Sequence, residues 1–305
     1  MYEFKRGLSE NFIAALAELA KRPGWWQDVL ADDSLMIGIR DEEFDVYWHG
    51  QSIFHADFKD RRVNVNTHVK YLLDPVLDKR VGLKEDGKFD VEKLTPMLGS
   101  YTSATLSKLK KAADLFSGLE KQGVHAIVKA NENIVDVEIT LDAIGLDTKR
   151  RHPRMDIAAF EQRSDGVKLV FWEAKLFINP EVRAHGLASP KVVGQIEEYK
   201  KVLRERPTGV ISSYERVAKN LVQIAEMSGG VRKVGPAIRT VADGEKKLTM
   251  DSPANVGLVI FGFDDDQKAE GGIGHMHFEK LKRELSSKSV RACGNAVGLK
   301  LCLLG

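Results

Sequence analysis

The residues best equipped for chemistry lie between 154 and 200. Two apolar runs, 154–162 and 167–178, each carry charge in the middle: Asp156 in the first, Glu173 and Lys175 in the second. They are rich in aromatic and branched residues and flank Ser164, Asp165 and Gly166, which predicts a β-hairpin closed by an Asp-Gly turn. With Asp165 and Gly166 as the loop pair, Ser164 faces Val167, and counting outward sets Asp156 opposite Lys175. Glu173 is then one diagonal place away on the same face. Two carboxylates and an ammonium thus gather at the end of a hairpin otherwise made of Ile157, Ala158, Phe160, Leu169, Phe171 and Leu176. Charges in such surroundings must be paired or must hold an ion. A divalent cation between the two acids, Mg²⁺ or Mn²⁺, removes their repulsion and leaves positions for water and a phosphate oxygen. Lys175 is placed to orient or deprotonate that water.

At these residues the chain resembles the PD-(D/E)xK nuclease superfamily, whose core sets an Asp on one strand and Glu-x-Lys on the next, followed by a helix. Asp156 matches the first acid and Glu173-Ala174-Lys175 the tripeptide; Gln195-Ile196-Glu197-Glu198-Tyr199 resembles the Gln-x-x-x-Tyr helix motif of RecB-like members. Pro153 stands three places before Asp156 rather than adjacent to it. Glu-x-Lys also occurs at Glu3-Phe4-Lys5, Glu198-Tyr199-Lys200 and Glu245-Lys246-Lys247, but only at 173–175 is it set in an apolar strand behind a second strand bearing an Asp. The resemblance spans roughly residues 101 to 265. It implies an α/β, restriction-endonuclease-like core, a mixed central sheet flanked by helices. It also implies metal-dependent hydrolysis of phosphodiester bonds, in DNA in preference to RNA, as in restriction, repair or phage defence. In that reading Asp156 and Glu173 bind Mg²⁺ or Mn²⁺, Lys175 positions or activates the water, and Gln195 with Tyr199 supports the site. Two rivals use the same residues: a nuclease-fold protein that binds nucleic acid or a partner protein without cutting, and an unrelated enzyme in which the charges form a structural ion pair.

These groups need a scaffold, and 305 residues of which 43% are hydrophobic supply an ample core. A formal net charge of +2 excludes a polycationic nucleic-acid binder, so contact with DNA must come from local patches. Lys149, Arg150, Arg151, His152 and Arg154 lead straight into the strand of Asp156 and are candidates to hold backbone phosphates. Two cysteines, Cys293 and Cys302, exclude a disulfide scaffold and a zinc site. No run approaches the ~18 apolar residues of a membrane span, and the N-terminus lacks a secretory pattern, so a soluble, cytoplasmic protein is expected.

The elements follow from periodicity. A helix capped by Ser9 buries Phe12, Ile13, Leu16 and Leu19 and ends at Pro23-Gly24; Trp25, Trp26, Val29 and Leu30 form a packing cluster. Four strands follow, Leu35 to Arg40, Phe44 to Trp48, Gln51 to Phe58 and Arg62 to Asn66, with a tight turn at His49-Gly50, then a short helix from Thr67 to Lys79. This predicts a small N-terminal α+β domain, 1–95, serving recognition, dimerisation or regulation, before a nuclease-like domain, 96–305. The second part reads as a helix over 103–121, with Glu120 at its end as a further acid. A strand over 134–144 places Asp136, Glu138, Thr140 and Asp142 on a half-exposed face, which makes Glu138 a third candidate metal ligand. Helices at 191–204 and 212–227, a Gly-rich mobile loop near 229–233, a buried strand at 255–263, a helix at 278–285 and a last strand at 297–304 complete it. In the helix at 191–204, Gln195 and Tyr199 project together.

Overall fold

Short strands separated by turn residues build the first sheet of the computed structural model, which describes residues 4–72, 100–140, 154–186, 188–205, 207–272 and 274–301. Strands β1 Met36–Ile39, β2 Glu43–Trp48, β3 Gln51–Lys59 and β4 Arg62–Asn66 pair antiparallel in sequence order. His49 (φ 46°) and Gly50 (φ 73°) both take left-handed conformations, as the tight β2–β3 turn requires. Helix α1 Glu10–Ala20 starts where Ser9 accepts from the Phe12 amide, and it buries Phe12, Ile13 and Leu16. Helix α2 Trp25–Ala31 buries Trp26, Val29 and Leu30, so the tryptophan cluster is packing, in ring contact with Phe44 and Phe54.

The second sheet is mixed and six-stranded: β5 Ile134–Thr140, β6 Arg154–Arg163, β7 Gly166–Leu176, β8 Leu248–Thr249, β9 Val256–Phe261 and β10 Val290–Ala292. Its order is β10-β9-β7-β6-β5, with β8 also beside β7. Strands β5, β6 and β7 run antiparallel; β8 and β9 lie parallel to β7, and β10 parallel to β9. The parallel crossovers carry helices α5 Lys191–Glu205, α6 Pro207–Met227 and α7 Pro236–Ala242, then α8 Asp265–Lys268 and α9 His275–Leu285. Every residue of β9 is buried, as its unbroken apolar run predicts.

One cluster of buried side chains runs from Phe12, Phe44 and Ile53 around the first sheet to Phe171, Leu258 and Val290 in the second. A second lies against the other face of the mixed sheet, with Val124, Ile127, Trp172 and Val259. Between the sheets, Arg40 donates to Asp136 at 2.6 Å and to the Val137 carbonyl at 2.8 Å, Arg6 lies 3.6 Å from Asp136, and the Tyr214 hydroxyl donates to Asp136 at 3.2 Å. The domain boundary expected near residue 95 lies outside the described residues.

Several expectations are corrected. The helix expected over 103–121 is two, α3 Thr105–Asp114 and α4 Leu119–Ala130, because Ser117 and Gly118 break it. Phe116 and Leu119, apolar residues around that break, are largely exposed. Strand β5 is buried on both faces, since Asp136 meets the arginines between the sheets and Glu138 has cationic partners of its own. After Asn66 only a 3-10 turn, Val69–Tyr71, is seen, and 73–79 are outside the described residues. The Gly229 to Lys233 stretch is anchored by Arg232, whose guanidinium donates to the carbonyls of Val29, Asp32 and Leu35. Among the described residues the last strand is β10 at 290–292; of the strand expected over 297–304, residues 297–301 are turn and irregular chain and the rest lie outside the described residues.

Candidate functional site

The β6–β7 hairpin turns through Ser164 and Asp165, not Asp165 and Gly166. Arg163 pairs with Gly166, and Ile157 with Trp172. On the other edge of β7, β8 pairs with Val167, and the Lys247 carbonyl passes so near Gly166 that a side chain there would crowd it. The slip of two pairing places keeps every side chain on its expected face. It also sets Asp156 opposite Glu173, so that Lys175 becomes the diagonal neighbour.

A cleft of about 570 Å³ opens at this end of the hairpin, and Asp156, Glu173, Lys175, Gln195 and Tyr199 all line it. One Asp156 oxygen accepts from the Ala174 amide at 2.9 Å; the other lies 3.5 Å from Lys121 Nζ. Glu173 Oε1 is 2.8 Å from Lys175 Nζ, which also pairs with Glu181 at 3.0 Å. Among the described residues Glu173 Oε2 and Gln195 Oε1 are buried without a hydrogen bond of good geometry, although the Tyr199 hydroxyl stands close enough to the Glu173 carboxyl to favour its charged form. Tyr199 donates its hydroxyl to the Arg154 carbonyl at 2.8 Å and so ties α5 to the start of β6.

Burial, followed by the charge of Asp156, pushes the Glu173 carboxyl up to about 8, with Lys175 opposing. Burial likewise raises Asp156; Lys121 opposes the shift and Glu138 adds to it. Burial works against the charge on Lys175, but Glu173 and Glu181 outweigh it and hold the amine above the ordinary lysine value. Tyr199 is raised by burial and then by the two acids, so its phenol stays protonated.

No protein-family model matches this chain, and no curated protein or solved structure matches it significantly. What the cleft does must therefore be read from its own groups. Among the described residues no three His, Cys, Asp or Glu side chains form a ready metal cluster. Two facing buried carboxylates at one cleft nevertheless suit a small hard cation that keeps most of its water.

Other acids nearby are already engaged. Glu138, a non-glycine residue at φ 53°, is held by Lys121 and by Arg154 at 3.0 Å. Glu120, in the first turn of α4, accepts from the Leu176 amide at 3.0 Å and from Asn179 at 2.9 Å. Sequence reasoning missed Lys121 and Glu181 altogether. The Ser117-Gly118 pair was the available signal for Lys121, because a helix starting there turns it toward the cleft; nothing local marks Glu181. Lys149, Arg150, Arg151 and His152 lie outside the described residues, while Arg154 stands at the cleft rim. No described helix is long and apolar enough to cross a membrane.

Proposed function

We propose that the chain is a divalent-metal-dependent nuclease of the PD-(D/E)xK type that hydrolyses phosphodiester bonds in DNA. The observation that carries this reading is the buried pair of acids Asp156 and Glu173 facing one cleft, with the proton affinity of the Glu173 carboxyl raised by burial and by Asp156 opposite, against Lys175 and the Tyr199 hydroxyl. Asp156 and Glu173 would hold Mg²⁺ or Mn²⁺, which supplies charge neutralisation and a Lewis acid for the phosphate. Lys175, kept charged by Glu173 and Glu181, acts as a hydrogen-bond donor that positions water and stabilises charge on the phosphate, not as a base. Gln195, whose carbonyl oxygen has no partner among the described residues, can accept a hydrogen bond from water, and Tyr199 positions the strand that bears Asp156.

One feature favours a second reading, a nuclease-fold protein that binds without cutting. Lys121 already neutralises Glu138 and approaches Asp156. Incubating supercoiled, linear and single-stranded DNA with the protein in Mg²⁺, Mn²⁺ or EDTA separates the two. Cleavage that requires metal and falls about a hundredfold or more in Lys175→Ala is expected. A folded wild-type protein that cuts none of these substrates in either metal overturns the nuclease reading.

A further inference from the structure

The cleft has a neighbour. A groove of about 620 Å³ runs over the N-terminal sheet and the turn after β4, and Arg154 borders both cavities, with its partner Glu138 lining the groove. We propose that this groove receives the bases of an unpaired nucleic-acid strand beside the bond to be cut, which makes the N-terminal sheet a single-strand reader. The proposal rests on the nuclease reading for its link to cleavage, but not for the binding itself.

Much of the groove wall is committed to holding its own shape. Gln51 Oε1 accepts from Lys70 and from the Tyr71 hydroxyl, both at 3.1 Å, and Gln51 Nε2 donates to the Phe116 carbonyl at 3.1 Å. His55 lies between Asp45 at 3.3 Å and Glu43 at 3.6 Å. Against this fixed wall, among the described residues, Asn66 and His68 offer exposed polar atoms, and the Thr67 hydroxyl between them is buried without a partner. Asn66, exposed at the end of β4, makes no side-chain hydrogen bond among the described residues. His68, also exposed, accepts from the Lys70 amide through Nδ1 at 3.0 Å and meets the Tyr71 ring edge-on at 6.2 Å, which leaves Nε2 without a partner among the described residues.

An amide offers a donor and an acceptor side by side, the pattern that matches a base edge, and an imidazole can stack on a base. These groups read bases, not phosphates. A duplex in this place would need rows of cations for two backbones. Among the described residues its lining cations are Lys70 and Arg154, the latter paired with Glu138 on the same wall, with Glu43 and Asp45 behind His55. A single strand meets that balance: its backbone passes Arg154 on leaving the catalytic cleft, and its bases turn toward Asn66 and His68.

The test is fluorescence anisotropy in EDTA with labelled 12-nucleotide single strands of DNA and of RNA and a 12-base-pair duplex. It compares wild type with Asn66→Asp, which keeps the shape and adds repulsion, and with the Asn66→Ala, His68→Ala double variant, all at matched melting temperature. Wild type should bind a single strand about tenfold or more tighter than duplex, and each variant should lose about tenfold for the single strand, the scale of one amide-base contact. Equal affinity for duplex, no single-strand binding, or variants that bind like wild type would each overturn the groove. Cleavage of the same oligonucleotides in Mg²⁺ separates the two claims. Binding without cutting sinks the nuclease reading and leaves the groove standing. Cutting that Asn66→Asp does not slow, with unaltered binding, does the reverse.

Discussion

Glu173 and Asp156 are buried together by the fold at a cost in lost hydration first and mutual repulsion second, and this has a measurable sign. An unfolded glutamate releases its proton near pH 4.3, whereas Glu173 in the folded protein holds it to about 8. Between those values the folded state binds more protons than the unfolded one, so stability falls as pH rises across the window. In EDTA the wild-type melting temperature should drop from pH 5 to pH 9, and Glu173→Gln should flatten the decline; parallel curves for the two proteins would remove Glu173 as its source. Mg²⁺ at roughly ten times its dissociation constant should return about 1.4 kcal/mol to the wild type at neutral pH. Asp156→Asn and Glu173→Gln should lose most of that return. Lys121 makes a separate case. Lys121→Met strips the counter-charge from Asp156 and Glu138, so the EDTA melting temperature should fall while the shift produced by Mg²⁺ grows. An unchanged metal shift would mean that Lys121 does not compete for the acids.

At the scale of elements, α4 decides how closely Glu120 and Lys121 approach the hairpin. Gly123 is the reason it can come so near: a Cβ there would lie 2.0 Å from the Phe261 ring of β9. Gly123→Ala should therefore push α4 off the sheet, cost about 1–3 kcal/mol, and reduce cleavage as Lys121 and Glu120 move. Gly194 in α5 is a control of opposite sign, because nothing lies within 4 Å of the added atom. Gly194→Ala should gain roughly 0.4–1 kcal/mol from helix preference and a less flexible unfolded chain. Chemical denaturation of the two variants tests both; a neutral Gly123→Ala would show that α4 is loosely seated.

The molecule as a whole is joined by Asp136, which sits between Arg40, Arg6 and Tyr214 where β5 meets the N-terminal sheet. Arg40→Met would leave that carboxylate buried with one arginine at 3.6 Å, a loss of about 3–5 kcal/mol for a broken buried pair. Because the buried cluster is continuous through both sheets, calorimetry should show one transition that moves down as a unit. Two resolved transitions, only one of them shifted, would show that the sheets fold independently.

Local patterning was enough for the strands of the first sheet, for the apolar β9, for the helix that carries Gln195 and Tyr199, and for a hairpin with Asp156, Glu173 and Lys175 on one face. Periods of two and 3.6 residues are written in neighbouring side chains, so they can be read without knowing what packs where. Partners cannot be read that way. That Asp156 faces Glu173 and not Lys175 depends on the hairpin turning one residue earlier than its Asp-Gly pair suggests, with Arg163 against Gly166. Asp136 and Glu138 resembled the polar face of a half-exposed strand; Arg40, 96 residues away, and Lys121, from another helix, turned them into buried ion pairs. A charge is tolerated in the interior only beside its counter-charge. Which counter-charge arrives is set by the docking of whole elements, and that was settled only in the tertiary structure.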